Sequence, residues 1–487
     1  MINVSTEFRN EMTQDDNRNF IPYADITLAD GTVLNLTEKE IWQESFKIED
    51  ATSASGTFTI GAAVATKLTF TINNIYDTYS AYDFDGASIV ARVGLTLADG
   101  TTEKLLVGYY TVTEPSYDGT TITLVCLDRM SKFNKAYSAS TLTYPATLQT
   151  ILQQACTDCG VPLLTTTFDN GSYSVAAKPE SDSLTYADIV ACVAQIAGKF
   201  AKIDNNGYLY LGWYDFSIFE KNANLDGGSF DSAGPYATGD TADGGNFTDY
   251  SSGATADGGT FYDQKYYHVI NGTKSFKIST DDVIITGIEV TEDFTETDTQ
   301  KMSTYLSGKT GYVAKISGNL LIQYGQAQTV ADYLYSKIGG MRFRQFSATV
   351  LTDPTIEAGD IAYLTDRKSN AYQTIITSRS FVVGAGVTIA ADAETPAKNS
   401  AITYSQMTKA VIKAREEAQQ AIDNYYIVEQ QMAQLVANSG GLFETSVQQS
   451  DGSYIYYFHN KSTLAASQIQ WRCASDIMSV STDYGKT

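Results

Sequence analysis

Residues 88–113 read SIVARVGLTLADGTTEKLLVGYYTVT. Ser88 to Leu97 and Glu103 to Thr113 have the alternation of strands, and Leu97-Ala98-Asp99-Gly100 joins them. Asp-Gly between two such runs is a hairpin turn, because Gly accepts the positive φ the turn needs. The same four residues recur as Leu28-Ala29-Asp30-Gly31. Further strands are expected at Thr57 to Ile60, Lys67 to Asn73 and Thr121 to Leu127, the last running into Asp128-Arg129-Met130-Ser131-Lys132-Phe133. Many short strands with turns between them predict a barrel or sandwich, so residues 1–133 are read as an N-terminal β-barrel domain.

The pattern changes over residues 134–224, an α/β domain. Ala146 to Cys159 and Tyr186 to Phe200 show helical spacing, with Ile189, Val193, Ile196 and Ala197 on one face of the second. Ala201 to Tyr214 reads as a hairpin turning at Asn205-Asn206-Gly207. Residues 225–279 hold three short motifs beginning at Asp226, Asp243 and Asp257, each Asp-Gly-Gly-x-Phe. Their spacing is too uneven for a solenoid and no EF-hand pattern accompanies them, so they are read as turns in an elaborate insertion loop.

Residues 280–400 return to β, as a second β-barrel domain. The expected strands are Val283 to Thr291, Val313 to Ile322, Phe343 to Leu351, Asp360 to Leu364, Tyr372 to Val383 and Val387 to Ala391, with one helix from Gln326 to Ile338. Residues 401–439 then read as a coiled-coil stalk. Met407, Val411, Ala414, Ala418, Ala421, Tyr425, Val428, Met432 and Leu435 alternate spacings of four and three, which is a heptad seam. One such helix cannot bury its seam alone, so the chain is expected to be an oligomer joined along one axis. The seam itself leaves dimers and trimers open. Ser405 is a candidate N-cap and Gly440-Gly441 a stop. Residues 440–487 form a small β module. It ends on a turn-like Thr482 to Thr487 with no second strand, as expected of a fragment of a longer protein. The fold class is mainly β (α+β): two β-barrel domains flanking a mixed α/β region, then a coiled-coil helix and a small β module.

Composition narrows the function classes. Lys and Arg number 33 against 56 Asp and Glu, a formal charge of −23. No Lys/Arg-rich stretch supplies the basic face that phosphate binding needs, which argues against non-specific nucleic-acid binding and against anionic membranes. The 33 tyrosines favour strands and half-exposed interfaces. The five cysteines, Cys126, Cys156, Cys159, Cys192 and Cys473, are odd in number and irregularly spaced, so no disulfide framework is expected. Cys156 and Cys159 form a lone CxxC on a helix-like segment and are read as structural. Met1 to Asn19 lacks a signal-peptide pattern, and no apolar run approaches the length of a membrane span. The chain is expected to be made in a cytoplasm and to stay soluble until assembled.

Gly108-Tyr109-Tyr110-Thr111-Val112, followed by Ile122 to Met130, resembles the N-terminal barrel of phage tail hub proteins, also called tail-associated lysin or prophage endopeptidase-tail proteins. Asp353 to Leu364 is similar to the second barrel of that family, with Gly359-Asp360 opening a strand and Ile375 to Phe381 following. His459 to Thr487 looks like a module of minor structural proteins of Firmicute phages. The resemblance covers roughly residues 20 to 487 and rests on the order of the motifs. It implies a homotrimeric cup at the tail tip of a virion, a baseplate hub whose paired barrels give pseudo-sixfold symmetry. The implied partners are a distal tail protein or tail tube ring and the tape-measure protein. The cup would close the channel before DNA ejection.

Some relatives in that family carry a peptidoglycan hydrolase, which makes catalysis worth seeking. The chain has two histidines, His268 and His459, and no HExxH, Walker A or GxSxG pattern. His459 and Cys473 lie in one alternating stretch, a poor context for a Cys-His peptidase. Acidic residues are too many for their presence to mark a glycosidase pair. No catalytic, cofactor or metal residue is assigned, and the site expected is the oligomerisation seam. Tyr454, Tyr456, Tyr457 and Trp471 suit sugar stacking, yet packing a small β core is the favoured reading; Trp42 and Trp213 are also read as core. Three functions stay in play: a structural tail hub, a tail-tip lysin with its catalytic domain beyond Thr487 or hidden in the acidic loops, and a receptor-binding protein whose residues 440–487 meet a host surface glycan.

Overall fold

Strict alternation of apolar and polar residues gives most of this chain one buried sheet face per strand. A computed structural model of the chain describes residues 2–12, 18–179, 184–216, 267–269, 275–296, 299–365, 370–393, 443–450, 453–461, 463–474 and 478–486. They fall into two compact units, Met1–Ala401 and Ile402–Thr487. The Asp-Gly-Gly motifs and all nine seam residues lie outside the described residues.

The first unit opens with a short helix, α1 (Thr6–Met12), which buries Phe8. Seven strands follow: β1 (Phe20–Thr27), β2 (Val33–Leu36), β3 (Lys47–Ala51), β4 (Lys67–Asn73), β5 (Ser88–Thr96), β6 (Thr102–Asp118) and β7 (Thr121–Asp128). The two Leu-Ala-Asp-Gly turns close alike. Gly31 N–H donates to Leu28 O at 3.0 Å and Gly100 N–H to Leu97 O at 2.9 Å. Both glycines have positive φ, +86° and +81°. In each turn the Asp carboxylate accepts from the backbone N–H two residues on, Asp30 from Thr32 at 2.8 Å and Asp99 from Thr101 at 2.9 Å.

A 3₁₀ turn (Arg129–Phe133) leads to a mixed segment. It contains β8 (Ala146–Thr147), α2 (Leu148–Cys159), β9 (Ser174–Val175), α3 (Tyr186–Ile196), β10 (Phe200–Ile203) and β11 (Leu209–Gly212). Thr147 caps α2, and Thr185 caps α3 in a reciprocal box with Asp188. Cys156 and Cys159 are free thiols buried in α2, and burial pushes Cys156 up to about 12.

The second β-block holds β12 (Tyr267–Val269), β13 (Ser275–Glu296), β14 (Thr299–Gly308), β15 (Tyr312–Ile316), α4 (Ala327–Ile338), β16 (Arg342–Val350), β17 (Ile361–Thr365), β18 (Ala371–Ile375), β19 (Ser378–Val382) and β20 (Gly386–Ala391). The second unit holds a four-stranded antiparallel sheet, β21 (Phe443–Gln448), β22 (Tyr454–His459), β23 (Gln470–Cys473) and β24 (Met478–Ser481), in that order.

The chain is mainly β. Apart from β12, β17 and β18, which form a three-stranded sheet of their own, the strands of the two β-blocks share one sheet. Its order is β14-β13-β16-β20-β19-β3-β4-β7-β6-β5-β1-β2, with β15 joined to β13. The link between blocks is the antiparallel pair β3–β19, in register from Ser378↔Ala51 to Val382↔Lys47. Thr57 to Ile60 is no strand. Its backbone bonds go to separate places, Phe58 N–H to Asp392 O and, just beyond, Gly61 N–H to Lys199 O. Trp42, expected in the core, is 48% exposed.

Candidate functional site

The β3–β19 seam is where the two β-blocks and the α/β segment converge, and charged residues are buried there. Asp50 is the fourth residue of β3 and points inward with Ile48, two residues earlier. Lys202 lies on β10, all four of whose residues are buried. Its Nζ sits 2.7 Å from Asp50 Oδ1 and 2.9 Å from Oδ2, and donates to Ala358 O at 2.7 Å. Ala358 N–H in turn donates to Asp50 Oδ2 at 2.9 Å. Asp50 of the first block thus holds a lysine of the middle segment and the backbone of the second block at once.

Arg379 on β19 adds a second buried cation near Asp50. Its Nη1 donates to Ile356 O. Burial pushes the Asp50 carboxyl up, but the Lys202 ammonium and the Arg379 guanidinium outweigh it and hold it below the usual carboxylate range. Asp128, at the end of β7, shifts the other way. It accepts from Thr66 N–H and Met130 N–H, both at 2.9 Å, yet burial still pushes it up to about 7. Burial also raises Glu357 and Asp353 in the loop before β17.

Aromatic rings from the same three regions pack beside these charges. Phe58 lies 5.2 Å from Phe343 and 5.9 Å from Trp213, and Phe200 lies 5.5 Å from Tyr214, centroid to centroid. Tyr214 OH is 2.9 Å from Thr52 Oγ1, which donates to Thr377 O across the seam at 3.3 Å. A cleft of about 520 Å³ opens here, walled by Phe200, Tyr210, Trp213, Glu357, Gly359 and Asp360. Among the described residues no group of three or more His, Cys, Asp or Glu is placed to hold a metal ion. The arrangement is that of a clamp: it fixes three segments of chain against one another.

The sequence marked parts of this clamp for other reasons. Asp128 was read as the residue just after the strand Thr121 to Leu127, and Gly359-Asp360 as the opening of one. Asp50, Lys202 and Arg379 carry no local motif, because what defines them is a meeting of residues far apart in the chain. The candidate pair His459 and Cys473 is resolved by register. His459 stands opposite Gln470 and Cys473 opposite Tyr456, so the two side chains project from opposite faces of their sheet. His459 is buried, with Nε2 2.8 Å from Thr445 Oγ1 and Nδ1 2.9 Å from Lys461 O. Tyr454, Tyr456 and Trp471, expected to pack a small core, are 47%, 43% and 40% exposed. No helix among the described residues is long and apolar enough to cross a membrane.

No family model matches the chain, and no curated protein matches it. Solved structures do. A tail protein from Neisseria meningitidis MC58 aligns at a TM-score of 0.45 and 9% identity, over 78% of this chain and 98% of that one. The 43 kDa tail protein of prophage MuSo2 from Shewanella oneidensis aligns at 0.40 and 13% identity, over 77% and 97%. Prophage tail protein gp18 from Listeria monocytogenes EGD-e aligns at 0.41 and 12% identity, over 79% and 97%. These neighbours are tail proteins, two of them from prophages. The alignments cover less of this chain than of theirs.

Proposed function

We propose that this chain is a structural hub at the tip of a phage or phage-like tail. It would assemble as a homotrimer, dock on a distal tail or tube ring, and close the channel around the end of the tape-measure protein until DNA leaves. The observation that carries this reading is the β3–β19 pair. It makes two β-blocks one body, braced by the Asp50–Lys202 ion pair. Three copies of a two-block body present six blocks around one axis, which suits a sixfold ring. The resemblance of Gly108–Val112, Ile122–Met130 and Asp353–Leu364 to the two hub barrels supports the same assignment.

The test is the mass of the full chain by light scattering after size exclusion, followed by electron microscopy with a tail tube ring. Three protomers and a six-lobed particle seated on the ring are expected. A monomer at micromolar concentration that ignores the ring would sink the proposal.

A further inference from the structure

We infer that one face of the β21–β24 sheet is an inter-chain core, covered by the same face of other copies of this chain. The warrant is what the single chain buries there. Among the described residues of the second unit, the buried ones are His459, Ser467 and Gln470, and all three are polar. No apolar side chain among those described residues is buried. The large apolar residues lie outside instead. Register places Tyr454 and Tyr456 of β22, Trp471 of β23, and Met478 and Val480 of β24 on a single face. They are between 40% and 54% exposed.

A four-stranded sheet of this size needs a covered apolar face to be stable. A soluble chain also rarely leaves so large a contiguous apolar patch open. The cover must be present whenever the sheet is folded, which a ligand met only at the host surface does not provide. A copy of the same chain is always present. Charge agrees: the face carries Glu444 as its one acidic residue, at the β21 edge, and no cation, so it meets its own copy with little like-charge repulsion. The heptad pattern of Met407 to Leu435 lies just before the sheet in sequence, so copies joined along it would bring their sheets together, and in that respect the inference rests on the oligomeric hub reading.

Cys473 reports on this face. It stands between Tyr456 and Met478 and is half-buried in the single chain. The experiment is maleimide labelling of the native full chain with peptide mapping by mass spectrometry, run beside the solution mass. An oligomer in which Cys473 labels at least tenfold more slowly than in the denatured chain is expected. Trp471→Glu with Val480→Glu should restore the labelling rate, while Ser479→Glu on the opposite face should not. Three results would overturn the inference. An oligomer of full mass with a freely labelled Cys473 rejects the covered face and leaves the hub reading standing. A monomer with a freely labelled Cys473 rejects both. Protection of Cys473 only on adding solubilised host wall glycan makes the face a sugar platform instead.

Discussion

Lys202 and Asp50 stand 152 residues apart in the chain and meet at 2.7 Å, with side chains only 3% and 4% exposed. A buried pair of this kind is worth little against a well-packed apolar pair, but either half alone is costly. Lys202→Met should therefore destabilise the first unit by about 3–5 kcal/mol, seen as a lower denaturation midpoint. Adding Asp50→Leu to it should recover much of that loss. A single variant as stable as the parent would show that the clamp does not hold the three segments.

Asp128 gives the first unit a pH dependence of definite sign. Its folded value, about 7, lies above its ordinary value of 3.8. The folded state then binds the proton more tightly. The contribution is full below the unfolded value and is lost as pH rises through 7. Between pH 5 and pH 8 the loss is roughly 2–3 kcal/mol. Urea midpoints across that range should fall in the parent and stay flatter in Asp128→Asn. An equal slope in both would place the titration elsewhere.

Two glycines with positive φ should respond differently to the same change. At Gly359, φ +104°, an added Cβ would lie 2.6 Å from Phe200 Cζ, inside the clamp. At Gly31, φ +86°, it would meet nothing within 4 Å. Gly31→Ala should lower stability by about 1 kcal/mol from backbone strain alone. Gly359→Ala should lower it by clearly more, since the ring must also move. Thermal melts of the two variants side by side decide it.

The proposed stalk has its own test. Val428→Asp with Met432→Asp would put charges into an apolar seam, and the full chain should fall to a smaller mass by light scattering. An unchanged mass would mean that Met407 to Leu435 is not where the copies join.

Local patterns were the legible part of this fold. Both Leu-Ala-Asp-Gly turns, the helices ending at Cys159 and Ile338, and the hairpin at Asn205-Asn206-Gly207 follow from spacing and turn chemistry. The strand Thr299–Gly308 escaped notice because Thr and Ser dilute its alternation, and it holds its place by pairing with β13. Trp42 was misread because it lies in a turn-rich stretch between β2 and β3, not in a strand, and its ring is left half exposed. The clamp left no trace in any window of sequence, since Asp50, Lys202 and Arg379 meet only after the two β-blocks have paired. Tyr456 and Trp471 look like core residues in sequence, and the described residues of a single chain give them no core to enter.

The β3–β19 pair also sets a timetable for synthesis. Thr52 and its partner Thr377 are 325 residues apart. At about 5–20 residues per second, β3 waits roughly 20–60 s on the ribosome before β19 exists. Through that interval the first β-block carries an unpaired strand edge in a crowded cytoplasm, beside many other nascent copies of itself. Slow synthesis or a stalled ribosome should therefore cost this protein yield before it costs it stability.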